Sequence, residues 1–404
     1  MCGIEKRERV LPGRRGHRLR FRSATGIRRN RDQGTGNDES SRNGEPDKNA
    51  MNLQPMVSET SNLDLRETTM RLVRGENLSR TEAANFLEAL LDPVATDAQI
   101  AAALIALTAK GETVEELAGM AEAMRERATP VHSRHERFID TAGTGSSAAK
   151  RFNVSTAAAF VIAGAGLPVA KHGARAASST SGSADVLETL GVNTAAPPQT
   201  VERCLNEHGI CFMFAPLFHR ATARVAQVRR ELGVHTTFNL LGPLTNPARA
   251  PFQLLGVWHP SLVERVASAL ALLGVKQAWV VHGADALDEV TITGETFVAA
   301  CSAHTGVETF TISPEDFGLQ RRSVNQRREG PTENARVTRA ILDGVKDGEF
   351  AFVRDLVVIN AAAALYLAGV ATDFQNATAM ACESIDSGQA VSKLEALIRE
   401  TNRS

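Results

Sequence analysis

Cysteine is scarce in this chain, and its spacing excludes two kinds of stabilisation. The five cysteines, Cys2, Cys204, Cys211, Cys301 and Cys382, form no CxxC pair and have no nearby histidine at metal-ligand spacing. Neither a disulfide framework nor a zinc site is expected, and the cytoplasm is the expected compartment. Long apolar runs are missing too. The longest, near Ala157 to Ala165, is Ala/Gly-rich and well short of the roughly 20 residues of a membrane span, so no membrane partner is expected. Charge of one sign is also lacking, with 45 Lys+Arg against 46 Asp+Glu in 404 residues. That balance hides an asymmetry. Residues 1–50 hold 13 basic and 7 acidic side chains, which leaves 32 against 39, a net of −7, for the remainder. The body is mildly acidic, a charge that serves solubility and does not favour nucleic acid as a partner.

The basic stretch (Arg14, Arg15, Arg18, Arg20, Arg22, Arg28, Arg29, Arg31) has no apolar periodicity and runs into Gly/Asn/Ser/Asp-rich sequence. It cannot bury enough surface to offset its ordering entropy, so residues 1–58 are expected to be a disordered Arg-rich extension. Glu5 and Glu8 argue against an acid-poor transit peptide. A nucleic-acid arm and an upstream segment ahead of a start at Met51 or Met56 are the readings left.

What the chain does have is 43% hydrophobic residues, enough for a large core and more than one domain. A helix is expected near Leu65 to Arg74, and three further helix starts follow. Each is a hydroxyl residue with Glu or Gln three positions on: Ser79 with Glu82, Thr96 with Gln99, Thr113 with Glu116. Behind them Ala83, Leu87, Leu90 and Leu91, then Ile100, Leu104 and Leu107, then Leu117, Ala121 and Met124 fall on single helical faces. This predicts a small helical domain over 59–133.

From about Arg137 short apolar strands alternate with helices, the grammar of a mostly parallel sheet flanked by helices, and an α/β domain is expected over 134–404. Strands are predicted at Phe138 to Asp140, Leu167 to Ala170, Ile210 to Ala215, Leu254 to Trp258 and Ala278 to Val281. Helices are predicted at Ser155 to Gly164, Ser183 to Leu190, Arg220 to Leu232 and Leu262 to Leu273, with more from Thr332 onward. In such sheets ligands collect at the carboxyl ends of strands.

Three loops there carry chemistry. The first, Asp140 to Ser147 with Gly143, Thr144, Gly145 and Ser146, leads to Asn153, Ser155 and Thr156 at a helix start, where free N–H groups favour an anion. The second, Lys171 to Ser183, sets Lys171, His172 and Arg175 among Ser178, Ser179, Ser181 and Ser183, which suits a phosphate-rich ligand. The third holds Asp285 and the pair Asp288-Glu289. Adjacent carboxylates share a ligand only where the chain leaves the sheet, and hard oxygens of this kind suit Mg²⁺.

Together with Val228-Arg229-Arg230, Gly242-Pro243-Leu244, Asn246-Pro247-Ala248 and Glu333-Asn334-Ala335, these loops resemble the anthranilate phosphoribosyltransferase family over roughly residues 62–400. The resemblance implies a nucleoside phosphorylase/phosphoribosyltransferase-like architecture, with inserted helices near 217–234 joining the helical domain, and a homodimer formed through that domain. It implies transfer of the phosphoribosyl group of 5-phosphoribosyl 1-diphosphate (PRPP) to an aromatic amine with Mg²⁺ as cofactor, the reaction type of tryptophan biosynthesis. By similarity, Gly143, Thr144, Gly145, Ser146, Ser147, Arg151, Asn153, Val154, Ser155, Thr156, Lys171, His172, Gly173, Arg175, Ser178, Ser179 and Ser183 bind PRPP. Gly143, His172, Ala174 and Arg229 line the acceptor pocket, and Ser155, Asp288 and Glu289 hold the metal.

The sequence departs from the family pattern at the sites themselves. A Gly-Gly-Asp turn reads Gly145-Ser146-Ser147, a Thr-like position is Arg151 beside Lys150, the Asn of Lys-His-Gly-Asn is Ala174, and His-Pro-Ala reads His219-Arg220-Ala221. Two other classes share features with the chain. A pyrimidine nucleoside phosphorylase has the architecture and a Lys/Ser-rich loop, against which Asp288-Glu289 and Asn246-Pro247-Ala248 favour the transferase. A non-catalytic, nucleic-acid-binding paralogue is supported by the Arg-rich stretch alone.

Overall fold

The computed structural model describes residues 64–145, 152–176, 181–323, 330–348 and 350–403, and the Arg-rich extension expected to be disordered lies outside them. The chain opens with α1 (Leu65–Val73), α2 (Arg80–Leu91), α3 (Asp97–Lys110) and α4 (Val114–Glu126). The three expected starts are capping boxes in the structure, at Ser79 with Glu82, Thr96 with Gln99 and Thr113 with Glu116. Glu116 does more than cap. Its carboxylate is buried, accepts from Leu78 N at 2.8 Å and Thr113 N at 2.7 Å, and pairs with Lys110 at 2.9 Å. One cap residue thereby ties three helices.

Beyond α4 the elements alternate: β1 (Ile139–Gly143), α5 (Val154–Gly164), β2 (Val169–Gly173), α6 (Ser183–Thr189), α7 (Pro198–Arg203), β3 (Ile210–Phe214), α8 (Ala215–Phe218), α9 (Ala223–Leu232), α10 (Thr237–Leu244), β4 (Phe252–Gly256), α11 (Val263–Leu272) and β5 (Gln277–Gly283). A hairpin of β6 (Thr296–Ser302) and β7 (Gly306–Ile312) follows, then α12 (Pro331–Leu342), α13 (Phe350–Leu367), α14 (Phe374–Asp386) and α15 (Gln389–Thr401). Among the described residues the strands form one sheet in the order β3-β2-β1-β4-β5-β6-β7, parallel from β3 to β5 and antiparallel beyond. The order reverses direction between β1 and β4, which opens a crevice at their carboxyl ends.

Alternation along the strands feeds two cores. Leu254, Trp279, Val281 and Val298 belong to a core shared with α5 and α13, and Leu255, Ala278, Val280 and Ala299 to one shared with α11, α4 and the other N-terminal helices. Val225 and Val228 of α9 join the second core, whereas Phe218 of α8 belongs to the first. The apolar-run expectation needs correction. Helix α13 is the described helix long and apolar enough to cross a membrane, with mean hydropathy 1.7, and Arg354-Asp355 masks the run in the sequence. Its window is 72% buried, packed as a core helix against α5 and α14. The β6–β7 hairpin was not expected either.

Close packing of α2 on α4 rests on Gly119, where a Cβ would lie 2.1 Å from the Arg80 carbonyl oxygen. Gly119→Ala gains up to about 1 kcal/mol of helix propensity but forces the backbones apart, an overpacking cost of about 1–3 kcal/mol. The expected outcome is a net loss of stability. Urea unfolding of the two proteins measures it, and an unchanged or raised midpoint contradicts the close approach.

Candidate functional site

A cavity of about 320 Å³ opens at the carboxyl ends of β1 and β2, bounded by α5, α6, α9 and α10. One end is rich in donors. Asn153, at the start of α5, makes no side-chain cap. Its N–H instead donates to Asn334 Oδ1 at 3.0 Å and its Nδ2 to Ser181 O at 3.3 Å, which leaves the helix N-terminus open to an anion. Lys171 is buried on β2, where Nζ donates to Thr141 O at 2.6 Å and to Ser155 Oγ at 3.3 Å. Asp140 lies behind it, accepting from His172 N at 3.2 Å. Burial pushes the Asp140 carboxyl up to about 6, against the pull of the Lys171 charge, Asn246 and the His172 and Thr141 amides.

Gly143, Thr144, Gly145, Thr156, Gly173 and Ser183 border this end as well. Val154, expected among the PRPP-binding residues, does not line the cavity, and its side chain is in the core. Arg175 borders the cavity, but its guanidinium pairs with Asp185 at 3.1 Å and Glu188 at 2.6 Å on α6. In this state its charge is already partnered. Ser146, Ser147, Arg151, Ser178 and Ser179 lie outside the described residues.

The other end is apolar with a few polar groups. Met124, Ala174, Ala226 and Pro243 line it, together with His172, His219 and Arg229. His172 Nδ1 donates to Gly242 O at 3.1 Å, since a carbonyl only accepts, so Nε2 carries the lone pair. The two rings stand 5.1 Å apart, and neither Nε2 has a partner among the described residues. Burial, then the neighbouring His219, pushes His172 down to about 3, and burial pushes His219 down to about 4. Both rings are neutral at pH 7. Arg229 donates from Nη2 to Asn239 Oδ1 at 3.1 Å, stacks 5.5 Å from the Phe238 ring centre, and leaves Nε without a partner among the described residues. Burial lowers its pKa to about 10, so it remains a cation.

The acidic loop after β5 crosses behind the first loop. Asp288 and Glu289 are both buried; Asp288 Oδ2 accepts from Gly145 N at 3.1 Å, and Oδ1 has no partner among the described residues. Gly256 makes the crossing possible, because a Cβ there would lie 1.7 Å from the Asp288 carbonyl oxygen. Asp285 is spent on the loop itself, accepting from Thr291 and Thr293 hydroxyls at 2.8 Å each. An orphan carboxylate oxygen with a second carboxylate beside it fits a hard cation. No cage of three His, Cys, Asp or Glu side chains occurs among the described residues, and a Mg²⁺ ion completed by substrate phosphates needs none.

Sequence reasoning missed Phe238 and Asn239 and gave no role to Asp140. Asn239 is the N3 residue of α10, a position readable only once that helix start is known.

The chain is similar to known proteins over most of its length. A glycosyl transferase family model, a/b domain, matches residues 135–391, and the helical bundle domain of the same family matches residues 66–128. A curated anthranilate phosphoribosyltransferase from Moorella thermoacetica is 50% identical over 335 residues, 83% of this chain and 97% of that protein. The crystal structure of anthranilate phosphoribosyltransferase from Thermus thermophilus superposes with a TM-score of 0.77 at 40% identity, covering 83% of this chain and 99% of the other. The Saccharomyces cerevisiae enzyme in complex with PRPP and Mg gives a TM-score of 0.77 at 30% identity, over 85% and 99%.

Two neutral rings inside one cavity are directly measurable. Ring-proton NMR over a pH series is expected to place the midpoints of His172 and His219 below pH 5; a midpoint near 6.5 for either ring contradicts their burial.

Proposed function

The chain belongs to the anthranilate phosphoribosyltransferase family and transfers the phosphoribosyl group of PRPP to the amine of anthranilate or a related aromatic amine, and we propose that the two ends of the cavity divide this work. The observation that carries the proposal is Arg229. It is a partly buried cation with no carboxylate partner among the described residues, set in the same cavity as an open helix N-terminus and Lys171. A planar guanidinium binds both oxygens of an arylcarboxylate. The donor-rich end, with Gly143, Thr144, Gly145, Asn153, Ser155, Thr156, Lys171 and Ser183, takes PRPP, and the family resemblance adds Ser146, Ser147, Arg151, Ser178 and Ser179 to the residues that bind it. Arg175 joins it only by leaving Asp185 and Glu188.

In the reaction the amine nitrogen forms a bond to C1 of the ribose, the C1–O bond to diphosphate breaks, and the amine loses a proton. The protein contributes alignment and charge. The amides at the start of α5 and the Lys171 ammonium take up the charge that develops on the departing diphosphate. Asp288, Glu289 and Ser155 Oγ would hold Mg²⁺, which neutralises part of that charge when bound. His172, neutral with a lone pair at Nε2, accepts a hydrogen bond from the aromatic amine and turns its nitrogen toward C1, with the neutral His219 ring beside it. Ala174, lacking an amide, leaves space beside His172 for a substituted ring.

We further propose the division into a helical domain (59–133, with 217–234) and an α/β domain (134–404), a cytoplasmic setting, and a homodimer through the helical domain. Met70 and Val73 of α1 are 49% and 62% exposed and Ile105 of α3 is 40% exposed, on two helices packed together, which supports a second copy as the cover. Sedimentation velocity is expected to show a dimer that Ile105→Glu dissociates; a monomeric wild type overturns the dimer.

The functional test is calorimetry with PRPP combined with a fluorescence assay of anthranilate consumption. Binding of PRPP is expected to require Mg²⁺ and to vanish in Asp288→Ala with Glu289→Ala, whereas Arg229→Ala keeps it. Loss of Arg229 is expected to raise the KM for anthranilate by roughly tenfold to a hundredfold, the range for a hydrogen bond to a charged group. Equal PRPP binding in chelator removes the metal assignment.

A further inference from the structure

Helix α10 touches both polar anchors of the acceptor end. At residue 239 the side-chain oxygen of Asn239 accepts from Arg229 Nη2 at 3.1 Å and from the Thr236 N–H at 3.0 Å. One turn later the Gly242 carbonyl accepts from His172 Nδ1 at 3.1 Å. Positions i and i+3 share a helix face, so one short helix holds an arginine from α9 and a histidine from β2 on the same side. The helix is itself fixed at both ends. Thr237 Oγ1 donates to the buried Glu112 Oε1 at 2.6 Å, Arg125 Nε caps the Leu244 carbonyl at 2.7 Å, and Gln253 Nε2 donates to Pro243 O at 3.2 Å.

The identity of residue 239 is the informative part. The first turn of a helix favours a carboxylate, so Asp at this position would cap the Thr236 N–H as well as Asn does and gain from the helix dipole. It would also form an ion pair with Arg229 and consume the charge that an acceptor carboxylate meets. Asn offers the same acceptor oxygen without the charge. We propose that Asn239 is a positioning residue for acceptor recognition, holding the Arg229 guanidinium in line with His172 through α10 while leaving its positive charge for the substrate. The inference rests on the reading of Arg229 as the partner of the acceptor carboxylate.

The test is steady-state kinetics of the full chain with saturating PRPP and Mg²⁺, using anthranilate and its methyl ester as acceptors. Asn239→Asp is expected to raise the KM for anthranilate on the order of tenfold or more, with the PRPP KM, the thermal midpoint and the KM for the uncharged ester near wild type. A helix cap with no positioning role predicts the opposite, since Asp caps at least as well. Wild-type anthranilate KM in Asn239→Asp therefore overturns the inference while leaving the functional reading intact. A wild-type protein that binds PRPP but does not consume anthranilate overturns that reading and the inference with it. Should Asn239→Asp fail to fold, Asn239→Ala carries the test: the KM for anthranilate rises and that for the ester does not, and equal effects on both acceptors overturn the proposal.

Discussion

A buried ammonium needs partners, and the way Lys171 finds them organises the donor-rich end of this protein. Its Nζ reaches the Thr141 carbonyl of β1 and the Ser155 hydroxyl in the first turn of α5, so strand, strand and helix are fixed against one another by one charge. Asp140 stands behind, its own ionisation made costly by burial. The positive end of α5 adds to the Lys171 charge. The open helix end and the ammonium favour a polyanion, and the buried Asp288 and Glu289 behind the first loop suit a divalent cation that accompanies it.

The acceptor end is assembled differently. His172 comes from the sheet, Arg229 from the inserted helix that packs with the N-terminal bundle, and α10 stands between them with hydrogen bonds to both. Anchors at Glu112, Arg125 and Gln253 attach α10 to the loop after α3, to α4 and to β4. The acceptor cavity is accordingly a joint between two cores, and its dimensions depend on how those cores pack. The donor-rich end, built on β1, β2 and α5, has no such dependence.

Local rules made much of this legible in the sequence. The three capping boxes, the strand–loop–helix order and the loops at strand ends follow from contacts within a few residues, and the ordered motifs carried the family. What escaped reading depends on distant approaches. Asn239 matters because α9 folds back to it, and the contact of Asn334, which the sequence marked only as part of a motif, arises because α12 returns, 181 residues on in the chain, to accept the Asn153 N–H. The β6–β7 hairpin was missed because β7, at the sheet edge, is largely exposed and alternates Glu and Thr with apolar residues instead of showing a buried run. Helix α13 was missed as an apolar run because Arg354 and Asp355 interrupt it, and Arg354 reaches Asp386 on α14. The pairing of Arg175 with α6 shows the converse case, in which a basic residue in a phosphate-suited loop satisfies a neighbouring helix.

Gly256 is neither a ligand nor a loop residue, yet the acidic loop lies where its side chain would be. Any other amino acid at that position would displace the backbone of Asp288, so the sequence of β4 constrains where the acidic loop runs. The path by which the acidic loop crosses β4 is therefore fixed from beneath by a missing side chain, and only the loop's own side chains are left to set what it binds.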